Sequence, residues 1–169
     1  MAMPILDEHT LDFVSHSPSQ THRFGLRLGL LLQGGDIICL QGELGTGKTC
    51  LTQGIGDGMG ITEPITSPTF TLIAEHPAPT QALTLYHIDM YRLDEAVSEA
   101  LAIGLDDYLL GDGVSVIEWA DRVESAIPPE RLWITLRHLD TSKRGIVIKA
   151  TGARYDELLR QFRRTAFGV

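Results

Sequence analysis

Residues 42–49 read Gly-Glu-Leu-Gly-Thr-Gly-Lys-Thr, a complete G-x-x-x-x-G-K-[ST] pattern. Each part has a chemical task. The glycines let the backbone curl until successive N–H groups point inward, which cradles phosphate oxygens. A helix starting near Lys48 adds its positive end. Lys48 brings a mobile point charge to the outer phosphates, and the Thr49 hydroxyl suits Mg2+. A glycine turn that merely joined a strand to a helix would have no use for Lys-Thr. The pattern predicts a loop that binds nucleoside triphosphate.

Such a loop needs a carboxylate at the end of a neighbouring strand, to hold Mg2+ or its water. Two apolar runs end in an acid: Val114-Ser115-Val116-Ile117-Glu118 and Tyr86-His87-Ile88-Asp89. In open α/β sheets, ligands gather at strand ends on the loop side. Glu118 is assigned to Mg2+, and Asp89 to its surroundings or to positioning the attacking water. The order of the two roles stays open, and either acid could simply face water. Thr66-Ser67-Pro68-Thr69-Phe70 suits a loop that senses the γ-phosphate, and equally a plain proline turn. Trp119, next to Glu118, packs near the nucleotide or in the core. His87 reads as a structural strand histidine.

The nucleotide can be narrowed. GTPases usually read guanine with an Asn-Lys-x-Asp segment, and this sequence has no asparagine. ATP is therefore favoured. Small-molecule kinases usually add an arginine-bearing lid, but between Arg92 and Arg131 only Arg122 occurs. Three classes remain: an ATP hydrolase, a small-molecule P-loop kinase, and an ATP switch that does not hydrolyse.

The elements that must position these groups follow from periodicity and punctuation. Thr10 to Ser15 alternates as a short strand. Ser17-Pro18-Ser19-Gln20 fits a capping box with proline at the first helical position. It opens a helix over 18–33, with Phe24, Leu28 and Leu31 on one face and Gly34-Gly35 as its stop. Asp36 to Gln41 is a strand buried on both faces and leads into the glycine loop. Leu51, Ile55 and Met59 then mark a helix, which Gly54, Gly56 and Gly58 weaken by about 1 kcal/mol each relative to alanine. Thr69–Glu75 and Gln81–Tyr91 read as an antiparallel hairpin. An acidic helix over 94–103, a helical turn over 106–110 and a buried strand over 114–118 come next. The spans 132–138 and 145–150 form a second antiparallel pair. The last helix carries a stripe of Tyr155, Leu158, Leu159, Phe162 and Ala166, with an acidic first turn and a basic last turn. The expected fold is α/β, a P-loop NTPase-like three-layer domain with a mixed parallel and antiparallel sheet, in a single domain spanning 1–169.

Composition supports an ordinary globular chain of 169 residues, 43% hydrophobic and 21% charged. The start, MAMPILDEHT, shows no basic segment followed by an apolar one, and Leu28–Leu32 is too short to span a bilayer. A cytoplasmic protein with no membrane association is expected. Cys39 and Cys50 read as buried reduced thiols. Net charge is −8, split unevenly: residues 1–130 hold 5 Lys/Arg and 19 Asp/Glu, and residues 131–169 hold 9 and 3. The acidic body disfavours direct nucleic-acid binding. The basic end could meet RNA or an acidic protein, or be a solvated helix face.

Four segments, GELGTGKT, SPTFTL, YHIDMYRL and IEWADR, occur in that order at compact spacing. Together they resemble the bacterial tRNA threonylcarbamoyladenosine biosynthesis ATPases, the TsaE (YjeE) family, over nearly the whole chain. The resemblance implies a small P-loop ATPase using ATP and Mg2+. It would act with two proteins, a threonylcarbamoyl transferase and its inactive paralogue, and would not itself perform the transfer. Its ATP binding and hydrolysis would sustain repeated modification of tRNAs that read codons beginning with A, with tRNA contacted indirectly. Carried over, Leu44, Gly45, Thr46, Gly47, Lys48 and Thr49 would contact ATP, and Thr49 and Glu118 would hold Mg2+. Asp89 would be the second acid for hydrolysis, Thr69 part of the switch-like loop, and Trp119 a neighbour of the site. The helix start at Pro18–Thr21, with Thr21, and Arg144 near the late hairpin would also approach the nucleotide. Where the family often reads GDLGAGKT, this chain has Glu43 and Thr46, which alters nothing essential.

Overall fold

The computed structural model describes residues 5–68 and 72–169. Its strands are β1 (Ile5–Leu6), β2 (Thr10–Ser15), β3 (Ile37–Gln41), β4 (Ile73–Pro77), β5 (Thr84–Asp89), β6 (Val114–Glu118), β7 (Arg131–His138) and β8 (Arg144–Thr151). Its helices are α1 (Pro18–Gly29), α2 (Lys48–Gly58), α3 (Ala96–Ala102), α4 (Leu105–Leu109) and α5 (Ala153–Phe167), with a 3₁₀ segment over Ala120–Ala126. The strands form one sheet in the order β1-β2-β8-β7-β3-β6-β5-β4. β3 is parallel to β6 and β7, and β5 is parallel to β6. The remaining pairs are antiparallel. The expected mixed sheet is present.

Two apolar cores lie on opposite faces of the sheet, which makes three layers. One gathers Phe24 and Leu28 of α1, Leu51 and Ile55 of α2 and Leu158 and Phe162 of α5 against inward residues such as Leu11, Ile134 and Ile148. The other packs Ala100, Leu105, Leu109 and Val123 against Ile37, Ile88 and Ile117. The buried stripe of α5 is the one its periodicity predicts, with Ala166 packed at its margin. Arg154, at its start, bonds Asp36 at 3.0 and 2.8 Å, and the neighbouring Tyr155 hydroxyl accepts the Ile37 N–H. Burial pushes the Tyr155 phenol up to about 12.

Some boundaries differ from expectation, each for a local reason. The capping box forms, but Gln20 reaches back to the His16 N–H while Ser17 takes the Gln20 N–H. α1 stops at Gly29, before Gly34-Gly35, because its last turn tightens: Leu31 bonds the Leu28 carbonyl and Leu32 that of Gly29. The Leu31 carbonyl is taken by Arg154. β5 ends at Asp89, and the Tyr91 N–H turns back onto the Asp89 carboxylate. The hairpin pairs β4 with β5, although Thr69, Phe70 and Thr71 of its expected first strand lie outside the described residues. The 3₁₀ segment has no periodic signature. No described helix is long and apolar enough to cross a membrane.

The glycines of α2 have a packing role. Gly25 and Gly29 of α1 meet Gly54 and Gly58 of α2 backbone to backbone. A Cβ at Gly54 would lie 2.1 Å from the His22 carbonyl oxygen, and one at Gly58 would lie 2.2 Å from that of Leu26. What weakens an isolated helix here permits two helices to touch. Alanine is the better helix former by about 1 kcal/mol, yet Gly54→Ala is expected to destabilise the chain by about 1–3 kcal/mol through overpacking. Denaturant unfolding of the variant against the parent chain measures this.

Candidate functional site

Register places the chemistry. Leu40 of β3 pairs with Glu118 of β6, and Glu118 pairs with Asp89 of β5. Both acids therefore end their strands level with the exit of β3 into the glycine loop. Side chains alternate along a strand, so Asp89 shares a face with Leu85, and Glu118 shares one with Val116. Leu85 and Val116 belong to the core beneath α2. The acids consequently face the start of that helix.

The loop turns through two left-handed glycines, Gly45 (φ 76°) and Gly47 (φ 102°), and Gly47 caps α2. Lys48 is 5% exposed. Its Nζ donates to the Gly42 and Glu43 carbonyls at 2.6 and 2.8 Å and sits 4.2 Å from the Trp119 ring centroid. Burial lowers the Lys48 pKa, against the opposing pull of Glu118, Asp89 and Asp121. The Thr49 hydroxyl donates to Glu118 Oε1 at 3.0 Å and lies 3.0 Å from Ser67 Oγ. Burial raises the Asp89 pKa, partly offset by the Tyr91 N–H. Trp119 adopts a left-handed backbone (φ 61°), uncommon for a side chain of its size, and its ring lies 4.9 Å from that of Tyr91. Arg122 donates to the carbonyls of Tyr91 and Leu93, fastening the chain after Asp89 to the segment after Glu118.

These groups surround a cavity of about 460 Å3. Leu44–Thr49, Thr21, Asp89, Glu118, Trp119 and Arg144 all line it. Thr21 is buried, with its hydroxyl 2.7 Å from Ser15 Oγ and its methyl toward Gly47. Arg144 donates to the Gly45 carbonyl at 3.2 Å. Leu44, by contrast, is 64% exposed at the rim. Thr69 lies outside the described residues.

Sequence reasoning missed three contributors. Tyr91 and Arg122 lie within the segments YHIDMYRL and IEWADR without having been singled out there; Tyr91 follows β5 and Arg122 sits in the 3₁₀ segment. His87 was read as structural, yet its Nε2 lies 2.5 Å from Glu118 Oε2 with both side chains buried. The available signal was its place two residues before Asp89 in an alternating strand. Cys50 lines the cavity half-buried and Cys39 is fully buried, its thiol pushed up to about 12.

The donor set fits Mg2+. Thr49 and Glu118 offer hard oxygen ligands beside a second acid. Among the described residues no group of three His, Cys, Asp or Glu side chains could hold a metal alone. One hydroxyl and one carboxylate, completed by phosphate oxygens and water, is how Mg2+ is commonly held at nucleotide sites.

Comparison with known proteins gives a consistent result. The family model "Threonylcarbamoyl adenosine biosynthesis protein TsaE" matches residues 15–146. A Bacillus subtilis (strain 168) protein named tRNA threonylcarbamoyladenosine biosynthesis protein TsaE is 38% identical over 148 residues, 88% of this chain and 90% of its own. A Treponema pallidum (strain Nichols) protein of the same name is 44% identical over 135 residues, 80% of this chain and 97% of its own. The crystal structure of YdiB from Bacillus subtilis superposes with a TM-score of 0.79 at 32% identity, covering 98% of this chain and 99% of that one. On motif order, fold and these matches together, the chain belongs to the TsaE family.

Proposed function

We propose that this chain is a single-domain, cytoplasmic P-loop ATPase that binds and hydrolyses ATP with Mg2+ in support of threonylcarbamoyladenosine modification of tRNA. The observation that carries the reading is the convergence of Lys48, Thr49, Glu118 and Asp89 on one cavity at the end of β3. The names of the relatives support the pathway. The absence of asparagine, and so of a guanine-reading Asn-Lys-x-Asp segment, supports ATP.

In this reading the N–H groups of residues 44–49 and the start of α2 receive the phosphates. Lys48 exchanges its two carbonyl partners for β- and γ-phosphate oxygens. Thr49 and Glu118 hold Mg2+, which supplies charge neutralisation at the γ-phosphate when bound. Asp89 orients the water that attacks the γ-phosphorus, and its burial keeps the carboxyl basic enough to accept a hydrogen bond strongly. Trp119 covers Lys48 and shields that charge from bulk water. The ATPase works with a threonylcarbamoyl transferase and its inactive paralogue, and its turnover alone is weak. tRNA is met indirectly, because residues 1–130, with 5 Lys/Arg against 19 Asp/Glu, repel a phosphate backbone.

Phosphate release from ATP, by the chain alone and with the transferase pair, tests this. Slow release that the pair accelerates is expected. In Lys48→Ala it should fall by about two orders of magnitude or more, and unchanged release would refute the site. Labelled γ-phosphate appearing on a small acceptor would point to a kinase instead. Tight ATP binding with no release, even with the pair, would point to a switch.

Glu118→Ala is expected to weaken nucleotide binding by more than about tenfold when Mg2+ is present, with little change in its absence. Calorimetry in the two buffers measures both, and equal losses would exclude a metal role for this acid.

A further inference from the structure

β5 presents Leu85, His87 and Asp89 to one face in succession, and only the first is apolar. His87 is 0% exposed and sits diagonally across the β5–β6 ladder from Glu118, since His87 pairs with Val116. Its Nε2 lies 2.5 Å from Glu118 Oε2, while its Nδ1 is buried with no hydrogen-bond partner among the described residues. An ionised carboxylate only accepts hydrogen bonds, so Nε2 carries a proton and donates it to Oε2. Packing alone would not need this ring: leucine would fill the space without stranding a nitrogen. The other carboxylate oxygen, Oε1, is the one that meets Thr49.

We propose that His87 is a positioning residue that clamps Glu118 Oε2, so that Glu118 offers the metal one oxygen only, Oε1, on the side of Thr49. The proposal rests on the assignment of Glu118 to Mg2+. The imidazole never touches nucleotide or metal. It removes the rotational freedom of the carboxylate before the ion arrives, as groups hydrogen-bonded to metal ligands generally do. It also separates the two acids of the site by task, since Asp89 takes its own hydrogen bond from the Tyr91 N–H and none from His87 among the described contacts.

The test is ADP binding by calorimetry, with and without Mg2+, for the parent chain, His87→Leu, His87→Gln and Glu118→Ala. Direct Mn2+ binding in the presence of ADP serves as a second readout, and thermal midpoints verify folding. His87→Leu is expected to weaken Mg2+-dependent ADP binding and Mn2+ binding by about 10–100-fold, with Mg2+-free binding held within about twofold. His87→Gln, whose amide N–H reaches the same oxygen, is expected to recover most of that loss. Equal losses of His87→Leu in both buffers, no loss at all, or failure of a folded His87→Gln to recover binding would each overturn the proposal. If His87→Leu does not fold, the folded His87→Gln decides: near-parent Mn2+ binding supports the clamp, and a loss as large as that of Glu118→Ala overturns it. If Glu118→Ala itself loses nothing that depends on Mg2+, the metal assignment falls first and the clamp falls with it.

Discussion

The shared register of β5, β6 and β3 governs this molecule. Side chains alternate with a period of two, so sliding β6 by one residue would swing Glu118 away from Thr49 and carry Val116 from one core to the other. The alignment of the two acids and hydrophobic burial are thus secured by the same hydrogen bonds. No separate device is needed to bring the acids level with the glycine loop. The loop itself needs only a strand that ends there and a helix that starts there, which β3 and α2 provide.

Around that row the structure concentrates charge where water is scarce. Lys48 and Glu118 are nearly fully buried, and burial shifts Lys48 and Asp89 towards their neutral forms. The penalty is contained by local partners: two loop carbonyls and an indole face for Lys48, a hydroxyl and an imidazole for Glu118. Charges held in a dry, preorganised setting act more strongly on a substrate than the same charges in water. The site therefore has its electrostatic field in place through backbone and side-chain contacts of the chain itself.

What was legible in the sequence was local. The glycine loop, the strand ends at Asp89 and Glu118 and the stripe of α5 each depend on residues a few positions apart. The eighth strand among the described residues was not legible, because β1 is only two residues long. The bond from Arg154 to the Leu31 carbonyl, just past the end of α1, spans 123 positions. The contact of His87 with Glu118 spans 31 positions and exists only once β5 and β6 are paired. The left-handed Trp119 and the 3₁₀ segment after it answer to the packing of Tyr91 and Arg122, which no periodicity encodes. The glycines of α2 were visible as a weakness, and their use appeared only when α1 was set against them.

That glycine contact has a mechanical consequence. Glycine has no rotamers, so the α1–α2 interface cannot adjust by side-chain rearrangement. Backbone meets backbone, and small displacements encounter hard repulsion at once. The wall of the cavity that carries Thr21 and the start of α2 is therefore stiff. The opposite wall, built from Ser67, Tyr91 and Trp119, rests on side chains and loop hydrogen bonds that can be remade. The first wall therefore resists a change in cavity shape more than the second does.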